Sequence, residues 1–162
     1  MRFAIRDRPN YSLVESGLWI GGAVDSPPPK TDSVLNLCEV ADRFSVASTR
    51  WEPINDAAPA PSLDWLERQV RFVAAERAAD RVVFVHCRNG VSRSGLVVAA
   101  YLMLRKKWTR DQALKVLREK RPEVRPNPAF MDLLEEWQGK LRGDTHAVTF
   151  GAGGRIPCSD TL

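Results

Sequence analysis

The run Val82-Val83-Phe84-Val85 leads into His86-Cys87-Arg88-Asn89-Gly90-Val91-Ser92-Arg93-Ser94-Gly95, and an apolar run from Leu96 to Leu104 follows. This succession constrains the fold more than any other feature of the chain. It reads as strand, tight loop and helix. A loop of this kind turns its backbone N–H groups inward and ends on a helix N-terminus, so it forms an anion site.

The side chains in the loop match that backbone. Cys87 sits at the base, where a helix N-terminus and nearby cations favour the nucleophilic thiolate. Arg93 adds a planar fork that fits two phosphate oxygens. An arginine in the first turn of a helix is unfavourable unless an anion is bound there. Gly90 allows a backbone turn that other residues resist. Ser94 can donate its hydroxyl to the cysteine sulfur, and the same position suits a helix-capping serine. His86, next to the nucleophile, fixes loop geometry from behind. Arg88, Asn89, Gly90, Val91, Ser92 and Arg93 form the candidate substrate-binding loop. The chemistry implied is attack of a thiolate on a phosphate ester.

The His-Cys, five residues, Arg-Ser pattern resembles the cysteine-dependent protein phosphatases, and the Gly-Val-Ser-Arg-Ser run looks most like the dual-specificity branch. Val34-Leu35-Asn36-Leu37, Pro53-Ile54-Asn55-Asp56, Tyr101-Leu102-Met103-Leu104 and Arg121-Pro122 through Pro126-Asn127-Pro128-Ala129-Phe130 resemble that family in the same order, over roughly residues 10–142. The resemblance implies a metal-free phosphatase without a cofactor, acting on phosphorylated proteins through a phosphocysteine. A small domain of this type tends to have a shallow pocket that admits phosphoserine and phosphothreonine as well as phosphotyrosine.

The resemblance also implies roles outside the loop. Asp56 matches the acid-loop position and is expected to protonate the leaving oxygen. Its competitor, Asp64, falls where a carboxylate caps a helix. Asn127 is expected to brace the phosphate loop, and it equally suits the N-cap of the last helix, with Pro128 at the first helical position. Cys38 follows a strand, as Cys87 does, so both lie at one sheet edge. Some tensin-like lipid phosphatases pair cysteines in this arrangement, which makes Cys38 a candidate redox partner of Cys87. Filling a strand end is the plainer role, and Cys158 is the next candidate. Asn89 stands where many relatives carry alanine. The loop lacks lysine, which argues against a lipid substrate.

Strands are expected at Leu18–Ile20, Ser33–Leu37, Trp51–Ile54 and Val82–Val85, and helices at 64–79, 94–107, 109–119 and 128–141. Alternating strands and helices predict an α/β fold with a mostly parallel central sheet. Residues 1–142 are read as one catalytic domain and residues 143–162, poor in apolar periodicity, as a flexible tail.

The 162 residues, with 44% hydrophobic and 27% charged content, suit one soluble domain. No run of about 18 apolar residues suggests a membrane span, and the N-terminus lacks a signal-peptide core. Three cysteines do not make a disulfide framework, and a reactive cysteine suits a reducing, cytoplasmic location. Two separated histidines give no zinc pattern. A net charge of +4 is too mild to indicate nucleic-acid binding. Oligomeric state has no sequence signature. The rival readings are a phosphatase of lipid, sugar or nucleotide esters, a silent phosphoprotein-binding module, and a sulfur-transfer or arsenate-reducing enzyme.

Overall fold

The computed structural model describes residues 8–151, with side chains described as far as Gly143. Five strands form one sheet in the order β1-β2-β5-β3-β4. The strands are β1 (Tyr11–Glu15), β2 (Leu18–Gly21), β3 (Ser33–Asn36), β4 (Ser48–Trp51) and β5 (Val83–His86). Only the β1–β2 pair is antiparallel; β2–β5, β5–β3 and β3–β4 are parallel. The expected α/β fold with a mostly parallel sheet is therefore present.

The centre of the sheet follows from composition. Val83, Phe84 and Val85 in β5 are fully buried, as a parallel strand covered on both faces requires. The helices are α1 (Leu63–Ala78), α2 (Arg93–Lys106), α3 (Arg110–Lys120) and α4 (Pro128–Gly151). The α2 helix is buried from Arg93 to Met103 and packs against α1, α3 and α4. The amphipathic stripes fall as their spacing predicts. Leu66, Val70 and Val73 of α1, Ala113, Leu114 and Leu117 of α3, and Phe130, Leu133, Leu134 and Trp137 of α4 are all buried.

The expected helix starts hold too. Ser62 Oγ accepts from the Trp65 amide at 3.1 Å, and Thr109 forms a reciprocal capping box with Gln112.

Two edge strands correct the sequence reading. β1 was not expected: it is an edge strand, mostly half-exposed, with no clean alternation to reveal it. β4 occupies 48–51 rather than 51–54. Its polar residues are drawn into register by β3, with Ser33 opposite Ser48 and Asn36 opposite Trp51. Pro53 has no N–H with which to continue the ladder.

The α4 helix also runs past the expected end, to Gly151. The helix thus takes in residues 143–151, beyond the expected end at 141. Once the packed turns have nucleated a helix, each added residue contributes a hydrogen bond at little further cost. Residues 152–162, including Cys158, lie outside the described residues. Among the described residues, no helix is long and apolar enough to cross a membrane.

Candidate active site

Parallel pairing of β5 with β2 and β3 brings three strand ends to one edge, with Gly21 and Asn36 in register with His86. The chain leaves that edge as Cys87 and re-enters structure at Arg93, the first residue of α2. Between them the loop carbonyls are tied outward. Arg88 O accepts from Ala23 N at 2.9 Å and Val91 O from Arg125 N at 2.8 Å. Gly90 O accepts from Arg121 Nε at 2.8 Å and Asn89 O from Arg121 Nη2 at 3.2 Å.

The amides of Arg88 to Ser92 donate to no protein acceptor among the described residues. Backbone donors in such a place are rarely left orphaned. A set of them converging at a helix N-terminus forms an anion cradle. Gly90 makes the turn possible at φ +69°, and a Cβ there would lie 2.5 Å from the Gly21 carbonyl carbon.

Cys87 is 2% exposed at the base of this loop. Its Sγ lies 3.3 Å from Ser94 Oγ. Ser94 is therefore paired with the sulfur and is not the cap of α2. Ser92 holds the N-cap position, but its hydroxyl accepts from the Asn127 amide at 2.9 Å instead of from the helix.

Arg93 is 8% exposed. Its Nη1 donates to Glu39 Oε2 at 2.8 Å and to Ile54 O at 3.1 Å. Nε and Nη2 bond no protein group among the described residues, so the bidentate edge of the fork is open. Burial opposes the Arg93 charge, but the hydrogen bond to Glu39 and the fields of Cys87, Glu39 and Cys38 outweigh it and raise its pKa. In turn, the hydrogen bond from Arg93 is the main cause that holds the Glu39 carboxyl down at about 2. The other Glu39 oxygen pairs with Arg88. Glu39 had no sequence signal: it is a loop carboxylate brought to Arg93 across 54 positions.

The remaining candidates separate clearly. Asp56 Oδ1 accepts from Asn127 Nδ2 at 2.8 Å, whereas Asp64 sits in the first turn of α1. Asn127 also caps α4, accepting from the Phe130 amide at 2.9 Å. Its side chain thus serves the capping role raised for it and holds Asp56, while only its backbone amide, donating to Ser92 Oγ, meets the phosphate loop. His86 is buried; its Nε2 lies 2.9 Å from Asp42 Oδ1 and its Nδ1 lies 3.3 Å from Cys87 O. Asp42 was a second missed residue. Cys38 and Cys87 are both buried free thiols. Cys38 directs its sulfur to Glu39 Oε2 at 3.5 Å.

A third missed residue is Arg121, 3% exposed. Beyond the two loop carbonyls, it donates to Ser12 Oγ at 3.1 Å and Asn10 Oδ1 at 2.5 Å. Its signal in the sequence is its place in the Arg121-Pro122 stretch that carries the family resemblance, which attached no role to it. Arg121→Met is expected to leave loop carbonyls without donors and to lower stability by about 1.5–3 kcal/mol. Vanadate affinity should fall with it. Urea denaturation and vanadate inhibition measure the two effects. A stability loss at unchanged vanadate affinity would make Arg121 a fold residue with no influence on the loop.

Comparisons with known proteins bear on the family and the fold. The sequence pattern of the dual specificity phosphatase catalytic domain matches residues 30–140. The chain is 33% identical over 112 residues to human dual specificity protein phosphatase 16, covering 69% of this chain and 17% of that protein. It is 36% identical over 128 residues to human protein phosphatase Slingshot homolog 3, covering 76% and 19%. The chain thus spans less than a fifth of the length of these curated relatives. Among solved structures, a mouse putative dual specificity phosphatase complexed with zinc tungstate superposes with a TM-score of 0.79 at 23% identity, covering 90% of this chain and 96% of that one. The human tyrosine phosphatase-like serine/threonine/tyrosine-interacting protein gives 0.75 at 20% identity, covering 82% and 98%. By the extent of the matched catalytic-domain pattern, the chain belongs to the dual specificity phosphatase family.

Proposed function

We propose that this chain hydrolyses phosphate monoesters on tyrosine, serine and threonine residues of proteins through a phosphocysteine intermediate. The observation that carries the reading is the loop with its carbonyls tied outward and its amides unpaired around a buried cysteine and an open guanidinium edge. Family membership and the protein phosphatases among the relatives support the substrate class.

In this reading the Cys87 thiolate attacks phosphorus as the ester P–O bond breaks. The loop amides and the Nε–Nη2 edge of Arg93 hold the non-bridging oxygens, where charge gathers in the transition state. Asp56, oriented by Asn127, gives its proton to the leaving oxygen. Water then attacks the phosphocysteine and Asp56 takes its proton. The S–P bond breaks, and the Ser94 hydroxyl donates to the departing sulfur. The catalytic domain is assigned to residues 1–142, which take in the roughly 10–142 over which the family resemblance runs and the matched residues 30–140.

The test is phosphate release from matched phosphotyrosine, phosphoserine and phosphothreonine peptides in the presence of a chelator. Turnover of these peptides, unaffected by the chelator, is expected. Turnover that disappears with the chelator would overturn the thiolate mechanism. Turnover of phosphoinositides or phosphosugars in preference to every peptide would overturn the protein substrate.

A further inference from the structure

The phosphate cradle adjoins a second concavity of about 430 Å³, lined by Glu39, by Pro53 to Asn55 and by Ala57 to Pro61. Apart from Glu39 and Asn55, every residue on this lining is apolar. Two of its wall residues, Glu39 and Ile54, are the residues that hold Arg93 Nη1. The groove and the cradle therefore share a wall. A substrate with its ester in the cradle has this wall beside it.

Glu39 is committed on both oxygens, Oε2 to Arg93 and Oε1 to Arg88. Arg88 directly follows the cysteine, and its side chain is 57% exposed at the mouth of the site. It is the cation that would otherwise receive a second anion of the substrate. Glu39 neutralises it, and with 47% of its side chain exposed the carboxylate stands in the path of a flanking anion. Specificity often rests on such a repulsive element as well as on an attractive one.

We propose that this site selects against a second anion beside the scissile phosphate, with Glu39 as the specificity-determining residue, and that the apolar groove receives an aliphatic or proline side chain next to the phosphoresidue. The inference rests on the protein-substrate reading above. A carboxylate or second phosphate in the flanking position meets Glu39 and finds Arg88 already paired. An aliphatic side chain leaves water for the apolar wall formed by Pro53, Ile54, Ala57 and Ala58.

The experiment measures kcat/KM at low ionic strength for phosphopeptides that differ only at the flanking residue: leucine, glycine, glutamate or a second phosphoserine. Wild type is expected to favour leucine over glutamate or phosphoserine by about tenfold or more, and the difference should shrink as salt is added. Leucine should also exceed glycine, with little salt dependence. Glu39→Gln is expected to raise the two anionic arms to within about threefold of leucine by freeing Arg88. Adding Arg88→Gln to Glu39→Gln should remove that gain.

Equal wild-type rates on leucine and the anionic arms would overturn the charge selection, and equal rates on leucine and glycine would overturn the groove. A Glu39→Gln loss of the same factor on every peptide would leave Glu39 only positioning Arg93 and overturn its selective role. Turnover of an aryl phosphate with no peptide turned over would instead overturn the protein-substrate reading.

Discussion

Cys87→Ser is expected to abolish turnover while leaving the anion cradle able to bind. The substitution exchanges sulfur for oxygen at a site that is 2% exposed and touches Ser94 at 3.3 Å. It changes size little and disturbs none of the outward carbonyl bonds. An alcohol at neutral pH has almost no alkoxide, and no side chain in hydrogen-bond contact with Cys87 Sγ is a strong base: its partner is the Ser94 hydroxyl. The loss should be on the order of 10⁴–10⁶ in kcat, as for removal of other catalytic nucleophiles. Calorimetric binding of a phosphopeptide should remain, because the loop amides and Arg93 are unchanged. Activity within tenfold of wild type would remove Cys87 from the mechanism.

Asp56→Asn is expected to lower kcat by about 10²–10⁴-fold, the usual worth of a general acid. The isosteric amide can keep the 2.8 Å contact with Asn127 through its oxygen, so KM should change little. The size of the loss should depend on the leaving group. Serine and tyrosine esters need the proton, whereas an aryl ester with a very acidic phenol does not and should lose far less. A plot of rate against leaving-group pKa would steepen for the variant. If Asp64→Asn steepens that plot and Asp56→Asn does not, the acid has been misplaced.

Where the sequence was legible, the signal was local. The strand–loop–helix joint, the Ser62 and Thr109 caps and the apolar stripes of α1, α3 and α4 each depend on neighbours within a few positions. The edge strands carried no such signal, because β1 and β4 expose much of their surface and take their register from the strand beside them.

The site divides in the same way. Cys87, Gly90, Arg93 and Ser94 lie in one loop and the first turn of the helix that follows it, and could be read together. Glu39, Asp42 and Arg121 act across 54, 44 and 31 positions respectively. In sequence Glu39 and Asp42 are ordinary loop carboxylates and Arg121 belongs to a family-like stretch with no role attached; only the fold places them against Arg93, His86 and Gly90. Asn127 was legible as a cap and as a site residue, but its hold on Asp56 joins two loops 71 positions apart, which no local pattern encodes.

The outward ties of the loop have a consequence for how the protein is made. All five strands are complete by His86, and the cysteine follows at once. The donors that turn the Asn89, Gly90 and Val91 carbonyls away come from Arg121 and Arg125, which leave the ribosome later. A domain generally folds as a unit. A nascent chain that ends before Arg121 therefore carries its reactive sulfur without the groups that shape the loop around a phosphate. Competence for chemistry therefore waits on the segment after α3, the part of the loop's framework that is synthesised last.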